Sequence, residues 1–278
     1  MGITEIIKAI VLGIVEGVTE WLPISSTGHM ILLDEFVRLN VSKEFLSVFF
    51  VVIQLGAICA VPVLYWERLC PFSKKKSAAE KREITNLWIK VFVGSMPAAV
   101  LGFLLDDLFE RYFYRFIVVA LALIAYGAVF IFVEKIRAEN KNGKKCVESL
   151  GYDDALMIGA FQTLSLIPGT SRSGSTILGG MLIGASREAS AQFSFFMAIP
   201  IMGGASLLKS TKFIINGFSA TNDEIILLLV GIVVSFFVSM ASIKFLNDYD
   251  KRHNFKIFGY YRIFLGIAVL IYFLVKLP

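Results

Sequence analysis

Six long apolar segments constrain the fold of this chain more than any other feature. Each approaches the roughly 20 apolar residues that an α-helix needs to cross the hydrocarbon core of a membrane. The segments are residues 45–66, 88–105, 116–134, 189–208, 225–244 and 260–276. With 56% hydrophobic residues, 18% charged residues and a mean hydropathy of +0.73, the composition argues against a soluble globular enzyme. The sequence therefore predicts an all-α integral membrane protein with six transmembrane helices.

Two further apolar stretches, residues 5–34 and 155–186, are broken in the middle by proline, glycine, serine and charged residues. Backbone that leaves the helix at membrane depth is tolerated where it is buried in protein or lines a wet cavity. Both stretches are therefore predicted to be re-entrant helix-loop-helix hairpins, named here the first and the second hairpin, with functional tips.

Basic residues are concentrated in three of the predicted loops, at 67–90, 135–150 and 247–258, and are sparse at 106–115 and 209–224. Short loops rich in Lys and Arg remain in the cytoplasm. Six spans and two hairpins that return to their own side place the three basic loops inside and both termini outside. The net charge of +5 is thereby assigned to cytoplasmic loops, and no nucleic-acid partner is predicted.

The chain aligns with itself when it is shifted by 146 residues, which superimposes the two hairpins and the span after each. The matched residues are Gly13 with Gly159, Glu16 with Gln162, Ser25 with Ser171, Thr27 with Ser173, Gly28 with Gly174, Ile31 with Ile177, Leu32 with Leu178, Phe49 and Phe50 with Phe195 and Phe196 and, one residue out of register, Tyr114 and Arg115 with Tyr261 and Arg262.

This match predicts a single membrane domain, 1–278, built from repeat 1 (1–134), a cytoplasmic linker (135–150) and repeat 2 (151–278). Because each repeat would cross the membrane three times, the second copy would be inverted relative to the first. The two hairpin tips would then meet near the midplane from opposite faces. The alternative is chance similarity between two apolar segments that both contain glycine and serine.

Glu16 and Glu20 lie four residues apart in the first hairpin, so on a helix their carboxylates point the same way. Two like charges in a poorly solvated place need a cation or a shared proton. Oxygen ligands favour Mg²⁺ or Ca²⁺, and Mg²⁺ is often held by one or two carboxylates together with substrate phosphates. The pair is therefore a candidate site for a divalent cation.

Ser25, Ser26, Thr27 and Gly28 follow a proline in the same hairpin, and His29 comes next. Hydroxyls and free backbone N–H groups at a helix start are suited to binding an anion. His29 could take a proton from a serine hydroxyl, which would make that serine an activated nucleophile. The alternatives are a helix cap for Ser25 and Thr27 and a structural role for His29.

The tip of the second hairpin offers a matching polar run that includes an arginine. Its residues are Thr170, Ser171, Arg172, Ser173 and Gly174. A guanidinium in a membrane is costly unless it is paired, and its planar fork matches phosphate oxygens. The alternative for Arg172 is an internal salt bridge with Glu16 or Glu20. Two such tips in contact would enclose a phosphorylated group.

At these tips the chain resembles the undecaprenyl-diphosphate phosphatases of the bacitracin-resistance type, which are bacterial membrane enzymes. The resemblance is carried by two motifs, Glu16-Gly-Val-Thr-Glu20-Trp-Leu-Pro-Ile-Ser-Ser-Thr-Gly-His29 and Pro168-Gly-Thr-Ser-Arg172-Ser-Gly174. It departs from the expected pattern at Trp21, where phenylalanine is expected. The resemblance implies hydrolysis of undecaprenyl diphosphate to undecaprenyl phosphate and inorganic phosphate, which recycles the lipid carrier for wall polymers.

The resemblance also implies a location in the bacterial inner (plasma) membrane and a site open to the outer face. It implies Ser26 as nucleophile, His29 as its base, Arg172 as the diphosphate clamp, and Glu16 with Glu20 as the holders of a cation or proton. A competing class is a transporter that flips a phosphorylated polyprenyl lipid, since inverted repeats with broken helices are also a transporter design. The oligomeric state is left open, with a homodimer as one alternative.

Overall fold

The computed structural model describes residues 2–113, 115–140 and 145–276, and the folded elements within them are helices. They are α1 (Ile3–Thr19), α2 (Ser26–Phe36), α3 (Lys43–Val52), α4 (Gln54–Leu64), α5 (Trp66–Leu69), α6 (Ala78–Phe113), α7 (Phe116–Asn140), α8 (Tyr152–Thr163), a 3₁₀ turn (Leu164–Leu166), α9 (Arg172–Leu182), α10 (Arg187–Ile215), α11 (Asn222–Tyr249) and α12 (Lys256–Lys276). Tyr114, one residue of the repeat alignment, lies outside the described residues.

Six helical segments of the described chain are long and apolar enough to cross a membrane. They are Lys43–Leu64, which joins α3 and α4, and then Ala78–Leu105, Phe116–Arg137, Arg187–Ile215, Asn222–Tyr249 and Lys256–Lys276. Each overlaps one of the six predicted spans. The all-α class and the six apolar helices are thus confirmed. Six such helices are typical of a multi-pass membrane protein.

Two loops that the sequence places outside, 106–115 and 209–224, are shorter than predicted. Helix α6 continues to Phe113 and α10 continues to Ile215, so most of the predicted loop 106–115 and the first half of 209–224 are helical. Neither stretch contains a glycine or proline before its helix ends, and hydropathy falls there without any signal that stops a helix. Helix α10 ends where Gly217 adopts a φ of +81°, a usual C-terminal stop.

Each broken segment forms two short helices joined by an irregular stretch. We call residues 20–25, between α1 and α2, the first loop, and residues 164–171, between α8 and α9, the second loop. Pro23 lies in the first and Pro168 in the second, and a proline supplies no N–H group for helical hydrogen bonds. Helix α9 is buried from Ser173 to Met181, whereas α2 buries only Gly28 and Met30. Of the two helices that follow the loops, α2 is therefore the more accessible.

The helix before each loop packs on a long helix from the other half of the chain. Helix α1 packs on α11 and α8 packs on α6. Glycines allow the close approach: a Cβ placed on Gly13 would lie 2.8 Å from the Gly231 carbonyl oxygen, and one on Gly159 only 2.1 Å from that of Gly94. These contacts hold both loops between the two halves.

The largest cluster of buried apolar side chains lies directly beneath the loops. It includes Trp21 of the first loop and Phe195 and Phe196 of α10, all fully buried. The Trp21 and Phe195 rings meet edge to face with centroids 5.2 Å apart, a favourable arrangement for two aromatic rings. This packing fixes the first loop against the half of the chain that carries the second loop.

Candidate active site

Each loop ends in a serine whose backbone is strained. Ser25 has a φ of 74° and Ser171 a φ of 70°, and in the described chain they are the two residues other than glycine with positive φ. Their hydroxyls accept hydrogen bonds from the N–H groups of Gly28 and Gly174, at 3.3 and 3.1 Å. Helix capping, the alternative weighed for Ser25, is therefore present. Such backbone costs about 1–3 kcal/mol per residue and is concentrated at functional sites.

Side chains from both loops meet at Glu20. Arg172 donates from Nη2 and Nε to Glu20 Oε1 at 2.9 and 3.2 Å, while Ser26 Oγ donates to Glu20 Oε2 at 2.8 Å. The side chains of Arg172 and Glu20 are 9% and 7% exposed. The structure thus joins a half-buried hydroxyl to a largely buried carboxylate and guanidinium in one group. The internal salt bridge considered for Arg172 exists, with Glu20 as its partner.

Helix α10 sets the direction of the Arg172 side chain. Nη1 of Arg172 donates to the backbone carbonyl of Ser194 at 2.8 Å. The Ser194 hydroxyl in turn receives a hydrogen bond from Thr176 at 2.6 Å, and the guanidinium lies 5.9 Å from the centre of the Trp21 ring. Sequence reasoning missed Ser194, because the shorter of its two contacts with Arg172 is made by its backbone carbonyl, at 2.8 Å against 3.4 Å for the hydroxyl, and leaves no motif.

Glu16 is buried beside this group and faces a cavity of about 500 Å³ between α1, α2, α3 and α10. Glu16 Oε1 has no hydrogen-bond partner among the described residues. Polar groups that line the cavity are Glu16, Ser26, Thr27, Asp34, Lys43, Ser47, Gln54, Lys209 and Lys212. In the described ranges, no cluster of three or more His, Cys, Asp or Glu residues could hold a metal ion.

His29 is bonded to residues other than Ser26. One ring nitrogen, Nδ1, lies 2.7 Å from the Ser25 carbonyl oxygen, and Nε2 lies 2.7 Å from the Tyr261 hydroxyl. The His29 and Tyr261 rings also stack, with centroids 5.6 Å apart. Side chains on a helix lean toward its N-terminus, which carries the ring back onto Ser25. In this structure the Ser26 hydroxyl is therefore hydrogen-bonded to Glu20 and not to His29, which was predicted to be its base.

The hydroxyls of the second loop are occupied by protein groups. Thr170 Oγ1 donates to the carbonyls of Leu164 and Ile167, both at 2.8 Å. Ser173 Oγ donates to the backbone carbonyl of Glu20 at 2.9 Å, and the Ser171 hydroxyl lies 3.2 Å from that of Ser173. In this structure these hydroxyls, which are predicted phosphate ligands, build the loop and attach it to the first loop. Arg172, the first residue of α9, is the side chain through which the second hairpin contacts Glu20.

Two glycines that were predicted to bind an anion lie in packed positions. A Cβ on Gly28 would be 3.1 Å from Leu123 Cδ1, and one on Gly174 would be 2.7 Å from Nη1 of Arg262. Both glycines allow close packing behind the loops, and both donate their N–H groups to the capping serines. Thr27 is the predicted ligand next to Ser26 that does line the cavity.

The six apolar helices, together with Ser26, Glu20 and Arg172 in one hydrogen-bonded group, define a class, that of multi-pass membrane proteins with a polar site between two hairpins. Residues 9–268 match the family model described as bacitracin resistance protein BacA. The chain belongs to this family.

Proteins named undecaprenyl-diphosphatase are similar to this chain over nearly its whole length. That of Acetivibrio thermocellus is 56% identical over 270 residues, which cover 97% of this chain and 98% of the relative. That of Enterococcus faecalis is 53% identical, with 96% and 97% covered. That of Streptococcus mutans is also 53% identical, with 98% and 97% covered.

Proposed function

We propose that this protein hydrolyses undecaprenyl diphosphate to undecaprenyl phosphate and inorganic phosphate, and so recycles a lipid carrier for cell-wall synthesis. One observation carries the proposal: Ser26 and Glu20 of the first hairpin and Arg172 of the second form one hydrogen-bonded group next to an open cavity. A nucleophile, a base and an anion clamp are the parts that phosphoryl transfer requires. The names of the relatives support the lipid diphosphate as substrate.

Binding of the substrate would exchange one partner of Arg172 for another. Without substrate the guanidinium is bonded to Glu20 Oε1. Its planar fork fits phosphate oxygens as well as it fits a carboxylate, so the terminal phosphate of the lipid takes the place of Glu20. The Glu20 carboxylate then keeps its hydrogen bond from the Ser26 hydroxyl through Oε2.

Glu20 is the base that the geometry favours for Ser26. As the Ser26 proton passes to Glu20 Oε2, Oγ attacks the terminal phosphorus and the bond to the bridging anhydride oxygen breaks. Undecaprenyl phosphate leaves with the bridging oxygen and its electron pair. Water then hydrolyses the phosphoserine to inorganic phosphate and restores the hydroxyl. The rival route is direct attack by water on the diphosphate.

The residues fit a divalent cation, Mg²⁺ or Ca²⁺, that binds together with substrate. Glu16 offers an oxygen without a hydrogen-bond partner among the described residues, and it faces the cavity that Ser26 lines. Glu20 has both oxygens engaged until Arg172 turns to phosphate. Glu16 and the Oε1 atom of Glu20 would hold the cation together with substrate phosphates, as carboxylates do for Mg²⁺, while Oε2 of Glu20 keeps its bond to Ser26. The cation would neutralise charge on the leaving phosphate.

Replacing Glu16 by glutamine is expected to raise the cation concentration needed for half-maximal phosphate release at least about tenfold. The amide keeps the size of the side chain but removes the charge that attracts the ion. The measurement is a Mg²⁺ or Ca²⁺ titration of the purified variant at saturating substrate. Asp34→Asn, which alters another carboxylate of the same cavity, is the control and should leave the titration unchanged. An unaltered titration for Glu16→Gln would contradict the assignment.

We further propose that both loops are re-entrant and that residues 1–134 and 151–278 are inverted repeats of one membrane domain, joined by the linker 135–150. The equivalent backbone of Ser25 and Ser171 supports this, as does the reciprocal packing of α1 on α11 and of α8 on α6. Under the predicted sidedness the cavity opens to the outer face of the bacterial inner membrane, since Lys43 at its rim follows an outer loop. A homodimer stays a prediction.

The test of the proposed function is phosphate release from undecaprenyl diphosphate by the purified protein in detergent. Hydrolysis needs no gradient and no second compartment, so free phosphate is expected in proportion to enzyme, and addition of a chelator should lower the rate. A pure flippase of a phosphorylated lipid would release none. Absence of release with either cation would contradict the proposal and favour the transporter.

A further inference from the structure

Arg262 is a buried arginine of α12 that contacts both loops. Its side chain is fully buried. Nη2 donates to the backbone carbonyls of Gly169 and Thr170 in the second loop, at 2.9 and 2.7 Å. Nη1 donates to the carbonyl of Pro23 in the first loop at 3.2 Å. One guanidinium therefore connects the loop that precedes the serine nucleophile to the loop that precedes the anion clamp.

The surroundings of Arg262 are suited to a charge that is held in a fixed place. Its Cζ atom lies 5.4 Å from the centre of the Tyr126 ring and 5.8 Å from that of Phe130, both on α7. A buried cation is costly unless hydrogen bonds and ring contacts compensate for lost water. The three carbonyls can provide this compensation only when both loops are in their observed positions. The buried charge therefore favours that arrangement over others.

Arg262 also affects where the amide groups of the second loop point. Gly169, one of its acceptors, has a φ of +96°, and a Cβ there would lie 2.5 Å from the Val119 carbonyl oxygen, so the loop is pressed against α7. Because a trans peptide is planar, its N–H points opposite to its C=O. With the Thr170 carbonyl directed at Arg262, the N–H of Ser171 is directed away from it. The guanidinium thus orients the backbone immediately before Arg172.

We propose that Arg262 is a positioning residue that sets the separation of the two loops, so that Ser26 and Arg172 act on the same phosphate. It does so through the backbone and without touching the substrate. The neighbouring Tyr261 bonds His29 of the first hairpin, so consecutive residues of α12 hold the site together. The expected effect on kcat rests on the proposed function. The expected effect on the positions of the two loops rests on the geometry alone.

The kinetic test compares Arg262→Met and Arg262→Lys with the unaltered protein. A misplacement of about 1 Å costs roughly 100-fold in rate, so kcat of Arg262→Met is expected to fall about 100-fold while KM changes less than about threefold. Lysine keeps the charge but lacks the planar fork, and an intermediate kcat is expected. Arg115→Met, an exposed arginine at the matching place in the first half, is the control and should retain full activity.

Hydrogen exchange of the substrate-free proteins, followed by mass spectrometry, tests positioning without reference to activity. Exchange is expected to become faster in peptides that cover both loops and to stay unchanged in residues 43–64. A near-normal kcat for Arg262→Met would overturn the proposal, as would a slow variant with unchanged exchange. If Arg262→Met is not recovered folded, Arg262→Lys decides in the same way. If the unaltered protein releases no phosphate, the proposed function fails while the exchange comparison still tests Arg262.

Discussion

Replacing Arg172 by methionine is expected to lower turnover of undecaprenyl diphosphate by about a thousandfold or more. A positioned arginine that neutralises charge in phosphoryl transfer contributes about 10³–10⁵ to kcat. Here the guanidinium is already oriented, because Nη1 is held by the Ser194 carbonyl and Nη2 by Glu20. Methionine retains much of the side-chain volume and none of the charge. The measurement is single-turnover phosphate release by purified protein at saturating substrate.

The same substitution also leaves Glu20 buried without its cation, which can cost about 3–5 kcal/mol of stability. A loss of fold must therefore be separated from a loss of chemistry. Arg187 offers a control, since its Nε donates to the fully buried Glu134 at 2.7 Å and neither residue lines the cavity. Arg187→Met should lower the melting temperature in detergent by a similar amount and leave turnover intact below that temperature.

A second variant, Arg172→Lys, tests the role of the planar guanidinium separately from the role of its charge. It keeps a cation near Glu20 and should melt close to the unaltered protein. Its turnover should nevertheless stay well below normal, because an ammonium cannot hold two phosphate oxygens in one plane. Near-normal turnover by Arg172→Lys would show that charge alone is sufficient. Near-normal turnover by Arg172→Met would contradict the role of the residue altogether.

The six spans and the two breaks could be predicted from the sequence because they depend on composition over long windows. A run of about 20 apolar residues has few alternatives to a buried or membrane helix. The two breaks combine a proline with glycine, serine and charged residues, whereas Pro62, Pro97 and Pro200 stand in apolar surroundings and lie inside helices. The ends of α6 and α10 could not be predicted in this way. Helices continue past the apolar window until a residue stops them, and residues 106–113 contain no such residue.

The sequence predicted which residues lie together in the candidate site, but it did not predict which of them are hydrogen-bonded to one another. The motifs bring Ser26, Glu20 and Arg172 to the same two tips, and the structure joins these three. Sequence spacing suggested His29 as the base because it lies three residues after Ser26, yet the direction of a ring depends on tertiary contacts. Tyr261, more than 200 residues away, holds that ring at 2.7 Å. No local pattern contains this information.

The sequence contains a signal for a role of Arg262 that the repeat alignment did not use. It lies within the last predicted span, and an ionisable residue inside a span is by default functional. The repeat alignment paired it with Arg115, but the structure exposes one and buries the other. Its acceptors are backbone carbonyls, which any residue can supply. A pattern of side chains could therefore identify the donor but not its role.

Replacing Ser26 by alanine is expected to lower phosphate release by about a thousandfold or more, since loss of a nucleophile removes the covalent step. The Ser26 hydroxyl is hydrogen-bonded to Glu20 Oε2 at 2.8 Å and is the proposed nucleophile. Ser47→Ala removes another hydroxyl from the same cavity wall and should retain full turnover. The comparison of these two variants separates a specific hydroxyl from the general polarity of the cavity.

A second measurement distinguishes the serine route from direct attack by water. Substrate labelled in the terminal phosphate, mixed with enzyme and quenched in acid, should leave label on a peptide containing Ser26 in the unaltered protein. The Ser26→Ala protein should carry none. Glu20→Gln, which keeps the bond to Ser26 but removes its base, should form the labelled species slowly. Turnover of Ser26→Ala close to that of Ser47→Ala would eliminate the nucleophile and transfer the role of Glu20 to the activation of water.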